Sequence, residues 1–304
     1  MILVAGASGC VGSALVADLT ARASGDQPPL RAFVRREFDA LRLRDQGIEA
    51  ITGDLVSGRG VDEAMRGVRT LVYLVDTLDG DYPDGGDVVT TDLEAVQHTL
   101  IAARAAGVRR VIALSHVAAS EEAISRYLVA RWAVELAVRQ SGLDWLLLRA
   151  PLILGRDSTL WELLHRTVDR TPVVPLFRWR KVEAEPVALS DVVAALRIAI
   201  DEPERGGRSY DVTGATRTNF GEVLRGWGRT AARRRLYVPV PGWGERPMTA
   251  LGATLARVPR GEARPLLETL RERQVCPDPS RRFPLGRRPL TLDAALAEAR
   301  AGRR

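Results

Sequence analysis

Short apolar runs alternate with longer segments in which apolar residues recur at helical spacing, and this alternation fills the first half of the chain. Ile2 to Ala5 is an uninterrupted apolar run, the pattern of a strand buried on both faces, and Val11 to Thr20 continues as an apolar, Ala-rich helix. Leu30 to Val34 predicts a second strand, Gly47 to Asp54 a third, Leu71 to Val75 a fourth, Arg110 to Leu114 a fifth and Trp145 to Leu148 a sixth, with helical patterns between them. Strands alternating with helices predict a parallel, doubly wound sheet, and such sheets hold ligands at the carboxyl ends of their strands. The later half is less regular. Ser158 to Arg170 reads as a helix, Thr171 to Pro186 is interrupted by prolines, Ser190 with Asp191 opens a helix to about Ile200, and Gly207 to Val212 adds a strand. From Gly242 onward, helical pieces separated by Pro and Gly lead into a basic tail.

The chemistry begins at the first strand. Gly6-Ala7-Ser8-Gly9-Cys10-Val11-Gly12 follows it directly, with glycines at three positions. Glycine there lets a strand turn sharply into a helix, lets backbone N–H groups approach a pyrophosphate, and lets the helix pack closely on the strand. This predicts a dinucleotide site on a Rossmann-type α/β fold, a doubly wound parallel sheet with a smaller C-terminal substrate lobe. Residues 1–150 would bind the nucleotide, and residues 151–304 would form the lobe interwoven with it. At the end of the second strand, where an acidic residue would bond the adenosine ribose, stand Arg35 and Arg36. Guanidinium groups there suit a 2′-phosphate, so NADP(H) is favoured over NAD(H). Asp54 could accept a hydrogen bond from adenine or cap a helix.

Composition narrows the partners. A chain of 304 residues, 46% hydrophobic, can bury a sizeable core. Its two cysteines, Cys10 and Cys276, suggest no disulfide framework, which suits a reducing cytoplasm. The first strand starts right after Met1, leaving no room for a signal peptide, and no apolar stretch approaches the roughly 18 to 20 residues that span a bilayer. The net charge of +6 comes almost wholly from arginine, since Lys181 is the only lysine. The basic residues gather in Arg31 to Arg44 and from Arg225 to the C-terminus, but no repeated aromatic-plus-basic motif accompanies them. The expected partner is a small-molecule substrate and not a nucleic acid or a membrane, with homo-oligomerisation left open.

Ser115 is expected to end the fifth strand. Tyr127 follows on a helix whose next turn carries Arg131, on the same face. A cation beside a phenol favours the phenolate and prepares it for proton exchange with a carbonyl/alcohol pair, and Ser115 could bond the same oxygen. Alternatively, Arg131 pairs with Glu135 one turn on and leaves Tyr127 an ordinary half-buried aromatic. Asp76, Asp79, Asp81, Asp84 and Asp87 lack the spacing of a calcium loop and read as a solvated loop at the cofactor rim. His98, His116 and His165 have no zinc-ligand spacing, although His116 is placed to line a pocket. Trp161, Phe177, Trp179 and Trp243 are either core or an apolar substrate wall.

These residues resemble the short-chain dehydrogenase/reductase superfamily, in its atypical branch of NmrA-like and complex I accessory-subunit-like proteins. The glycine loop carries the resemblance, with Gly53-Asp54-Leu55, Ala106 to Val111, Ser141 to Trp145 and Leu148-Arg149-Ala150-Pro151, while Ile153-Leu154-Gly155 with Ser158, Glu185 to Ala188 ending at Asp191 and Ala263 to Leu266 are similar to a bacterial subgroup of NAD(P)-binding, epimerase-like proteins. It implies cofactor contacts from Gly6 to Gly12 and from Arg35, Arg36, Asp54, Leu55 and Pro151. The superfamily's active tyrosine and lysine lie four apart, with a serine upstream. Ser115 and Tyr127 match, while Arg131 holds the lysine's place. The implied function is NADP(H)-dependent hydride transfer to a small or medium-sized, largely apolar carbonyl, enone or related group, with Tyr127 as acid, Ser115 orienting the oxygen and Arg131 tuning the tyrosine. The alternatives are a cofactor-binding sensor or scaffold without turnover, and a non-redox epimerase, dehydratase or cyclase.

Overall fold

The computed structural model describes residues 1–22, 29–76, 87–242, 247, 249–250, 254 and 260–302. Its strands are β1 (Ile2–Ala5), β2 (Leu30–Val34), β3 (Glu49–Thr52), β4 (Thr70–Tyr73), β5 (Arg110–His116), β6 (Asp144–Ala150), β7 (Ile153–Leu154), β8 (Val173–Leu176), β9 (Glu183–Ala184), β10 (Val187–Ala188), β11 (Arg208–Asp211), β12 (Thr218–Asn219) and β13 (Leu236–Pro239). The helices used below are α1 (Cys10–Ala21), α2 (Glu37–Asp45), α3 (Val61–Met65), α4 (Val88–Ala105), α5 (Arg126–Gln140), α6 (Thr159–Arg170), α7 (Leu189–Asp201) and α8 (Phe220–Thr230).

A seven-stranded sheet runs in the order β11-β6-β5-β4-β1-β2-β3. β1 pairs in parallel with both β2 and β4, β2 with β3, and β4 with β5. This is the Rossmann-type α/β arrangement that the alternating pattern predicts. The order reverses between β1 and β4, which creates a crevice at their carboxyl ends. Helices cover the sheet because strands such as β1 and β4 are apolar on both faces. Leu3, Ala5, Leu71 and Tyr73 pack with Val96 and Leu100 of α4 and Val134 and Val138 of α5 in one buried cluster.

The predicted elements hold with shifted ends. β4 stops at Tyr73 instead of Val75: Leu74 still donates its N–H to the Ala5 carbonyl at 3.0 Å, and the chain then leaves the ladder. β5 continues through Ser115 to His116. The helix predicted from Ser158 begins at Thr159 with Ser158 as its N-cap, and the one predicted from Ser190 runs Leu189–Asp201.

The chain forms two compact units, each assembled from separated stretches. The first holds Met1–Ser115, Ala130–Arg149 and Val193–Tyr210, and the second His116–Val129, Ala150–Val192 and Asp211–Arg304. Residues 116–129 thus belong with the second unit and residues 193–210 with the first. The second unit carries three two-stranded sheets: β7 with β10, β9 with β12, and β8 with β13. Its core includes Trp161, Trp179, Trp227 and Phe220, all buried. Trp161 meets Trp227 edge-on at 5.2 Å, so this tryptophan is core; Phe177 and Trp179 are buried as well, and Trp243 lies outside the described residues.

Candidate functional site

In the first unit the turn after β1 is sterically committed to glycine. Gly6 has φ +84°, and a Cβ there would lie 3.0 Å from the Leu74 carbonyl oxygen. At Gly12 the requirement is harsher, because a Cβ would sit 2.0 Å from the Gly6 oxygen and 2.8 Å from its carbon. Helix α1 thus starts in direct backbone contact with the turn that feeds it. Its first residue is Cys10, Gly9 provides no side-chain cap, and Ser13 makes the helix bond back to Gly9 at 2.9 Å. The opening amides of such a helix have no intrahelical acceptor and carry the positive end of its dipole, which suits an anionic phosphate.

A groove of about 250 Å³ opens beside this turn. Gly6, Ser8 and Gly9 line one side, Phe33 to Arg36 with Asp39 another, and Gly53 to Val56 with Leu74 to Asp76 the rest. Of the predicted cofactor residues, Gly6, Ser8, Gly9, Arg35, Arg36, Asp54 and Leu55 come together there. Ala7 and Val11 are buried behind it, and Gly12 and Cys10 open α1. Pro151 is buried in the second unit and does not line this groove. Arg35 and Arg36 are both exposed, and Arg36 provides the extended N-cap backbone of α2. Asp54 serves its own turn: one carboxylate oxygen accepts from the Val56 N–H at 3.0 Å and the other from the Ser57 hydroxyl at 3.1 Å. A dinucleotide fits this cradle, since a Cβ would fill the glycine approach and two exposed guanidiniums stand at the end of β2.

Ser115 belongs to the first unit and is 7% exposed. Its hydroxyl has no partner among the described residues, an orphan polar atom near the carboxyl end of a central strand. Tyr127 belongs to the second unit and is half-buried on α5, its ring edge-on to His116 with centroids 6.5 Å apart. His116 accepts the Ala118 N–H at Nδ1, 3.1 Å away, and burial pushes its pKa down to about 4 against a hydrogen bond with Gln274 that works upward. Gln274 ties the same network to the Leu152 N–H and the Thr269 carbonyl. His116 is thus a neutral buried ring packed edge-on against Tyr127.

Arg131 does not form the predicted hydrogen-bonded pair with Glu135. It is 3% exposed in the first unit, donating to the Asp92 carboxylate and, at 2.8 Å, to the Val75 carbonyl. Glu135 instead accepts from Arg149, at 2.8 Å from Nε, and from Arg139 at 2.9 Å. Arg149 reaches it from the neighbouring strand β6, a partner that helix spacing alone does not reveal. Asp76 and Asp87 of the acidic loop are described, whereas Asp79, Asp81 and Asp84 lie outside the described residues. In the second unit Arg225, Arg229, Arg233, Arg234 and Arg235 line a groove of about 550 Å³ with Tyr237. Arg225 is tethered to Glu222 and Arg235 to the Val168 and Asp169 carbonyls. No described helix is long and apolar enough to cross a membrane.

The NAD(P)H-binding family matches residues 6–173, which contain the whole glycine turn and groove. The chain is 28% identical over 244 residues to a ceramide reductase of Caulobacter vibrioides, covering 80% of this chain and 74% of that protein. It is 35% identical over 215 residues to the (4-alkanoyl-5-oxo-2,5-dihydrofuran-3-yl)methyl phosphate reductase of Streptomyces griseus, covering 70% and 68%. The crystal structure of Citrobacter sp. triphenylmethane reductase complexed with NADP(H) shares the fold, with a TM-score of 0.74 at 20% identity over 98% of this chain and 100% of that one. With its glycine turn, crevice and parallel sheet, the chain belongs to the NAD(P)H-binding family, and its relatives include reductases.

Proposed function

We propose that this protein is an NADP(H)-dependent reductase acting on a small or medium-sized, largely apolar carbonyl, enone or related group. The observation that carries the reading is the groove in which Arg35 and Arg36 stand at the end of β2, opposite the glycine turn. The amides opening α1 hold the pyrophosphate, and the two guanidiniums pair with a 2′-phosphate. Bound there, the nicotinamide supplies a hydride. Ser115 offers its buried, orphan hydroxyl to the substrate oxygen, and Tyr127, its ring fixed by His116, donates the proton. The reductase names of the two relatives support the reaction class, and the apolar character of ceramide supports the substrate class. Cys10 and Cys276 form no disulfide, which goes with a cytoplasmic setting.

Calorimetric titration with NADPH and NADH tests the cofactor assignment. Arg35→Ala and Arg36→Ala together are expected to weaken NADPH by about 1 to 3 kcal/mol and to leave NADH unchanged, as for lost charge-assisted contacts. Equal weakening of both cofactors, or none, overturns the NADP(H) preference. NADPH oxidation across a panel of apolar ketones and enones then tests turnover. Tight NADPH binding with no oxidation by any of them favours a cofactor-binding sensor, a reading that the commitment of Arg131 to Asp92 supports.

A further inference from the structure

Arg131 occupies the position at which the superfamily carries a lysine, yet its surroundings belong to the interior of the first unit. Its guanidinium joins three elements. It sits on α5, bonds Asp92 of α4, and bonds the carbonyl of Val75 beyond β4. Asp92 is 0% exposed, and the Tyr73 hydroxyl beside the pair is buried without a partner among the described residues. Burial pulls the Arg131 pKa below its usual value, while Asp76, Tyr73 and Glu135 act to raise it. Two ions in such a place return little net stability, because desolvation offsets their attraction. What the pair does supply is position.

Val75 lies in the stretch Leu74 to Asp76 that walls the dinucleotide groove. The same stretch supports the glycine turn, with the Leu74 oxygen 3.0 Å from where a Gly6 Cβ would be. We infer that Arg131 and Asp92 form a positioning pair that fixes this wall for the cofactor, in place of the tyrosine-activating role that the lysine position suggests. The Asp92 carboxylate is in contact with the guanidinium, and the phenol on which the Arg131 charge acts is the buried Tyr73. The side chain also suits the task. A planar fork presents separate nitrogens to Asp92 and to the Val75 carbonyl at once, whereas an ammonium places all its donors on one atom.

The inference rests on the reading that the groove holds NADP(H), and Arg131→Lys separates the two. Lysine keeps a charge for Asp92 and restores the superfamily residue, but gives up the second, spatially separate bond. NADPH affinity is expected to fall at least tenfold while the urea midpoint stays close to that of the wild type. A second variant, Arg131→Met with Asp92→Leu, removes both charges together, and it is expected to fold and to bind NADPH at least tenfold more weakly. The inference is overturned if Arg131→Lys folds and binds NADPH within twofold of the wild type, most clearly if turnover rises or its pH profile shifts. It is equally overturned if the double variant folds and binds normally. Should neither variant fold, hydrogen exchange of the wild type decides: added NADPH is expected to protect the Val75 and Asp76 amides, and unchanged exchange overturns the inference. A wild-type protein that binds neither NADPH nor NADH overturns the functional reading and this inference with it.

Discussion

Gly12→Ala puts the dinucleotide cradle to its most direct test. The added Cβ would lie 2.0 Å from the Gly6 oxygen, about 1.4 Å inside the 3.4 Å at which ordinary contact begins, and 2.9 Å from the Ala7 Cα. Every one of these neighbours is backbone, so no side chain can swing aside to make room. Alanine gains up to about 1 kcal/mol over glycine within a helix. Against this, forced overpacking costs roughly 1 to 3 kcal/mol and displaces α1 from the turn. The clash outweighs the gain at all but its lowest figure, with a net destabilisation of up to about 2 kcal/mol. The larger effect falls on binding, because the displaced amides are those proposed to hold the pyrophosphate, and NADPH affinity is expected to drop more than tenfold. Urea denaturation and NADPH titration on the same preparation read the two effects. A variant with wild-type midpoint and affinity within twofold would refute the reasoning, since it would mean that α1 does not abut the turn as described.

Two further outcomes follow from buried charge. Glu135 is 0% exposed and holds both Arg149 and Arg139, so Glu135→Gln leaves the buried Arg149 without its counter-charge; a loss of about 3 to 5 kcal/mol in urea denaturation is expected, and a loss below about 1 kcal/mol would show the network to be dispensable. His116, held neutral by burial with a pKa of about 4 against an ordinary 6.5, binds its proton more readily in the unfolded chain, so its contribution is complete above pH 6.5 and is lost as pH falls toward 4. It amounts to about 3 kcal/mol at most, and His116→Gln should flatten the melting temperature over that window; parallel wild-type and variant profiles would count against it.

What could be read from sequence follows the range of the interaction that decides each feature. The glycine turn was legible because its requirement is local: Gly6 and Gly12, the two positions where a Cβ would press on backbone, lie within seven residues, and their steric need shows as the absence of side chains. The apolar runs of β1, β2 and β5 were legible because strands buried on both faces admit little else. The ends were less so, as at β4, where the amide of Leu74 bonds Ala5 from outside the ladder. Segments 116–129 and 193–210 change units through contacts that no local pattern carries. Arg131 shows the limit most sharply. Spacing along α5 offered it Glu135, four residues on, and a resemblance offered it the work of a lysine. The hydrogen bond that decides its role comes from Asp92, 39 residues earlier on another helix, at a position that reads in sequence as an ordinary polar site in α4. Meanwhile Arg149, arriving on β6, shares Glu135 with Arg139. A charge on a helix that faces a sheet chooses among acceptors on every element packed there. For such a residue the nearest partner in sequence is one competitor among several, and burial favours the acceptor that leaves the fewest polar atoms unpaired.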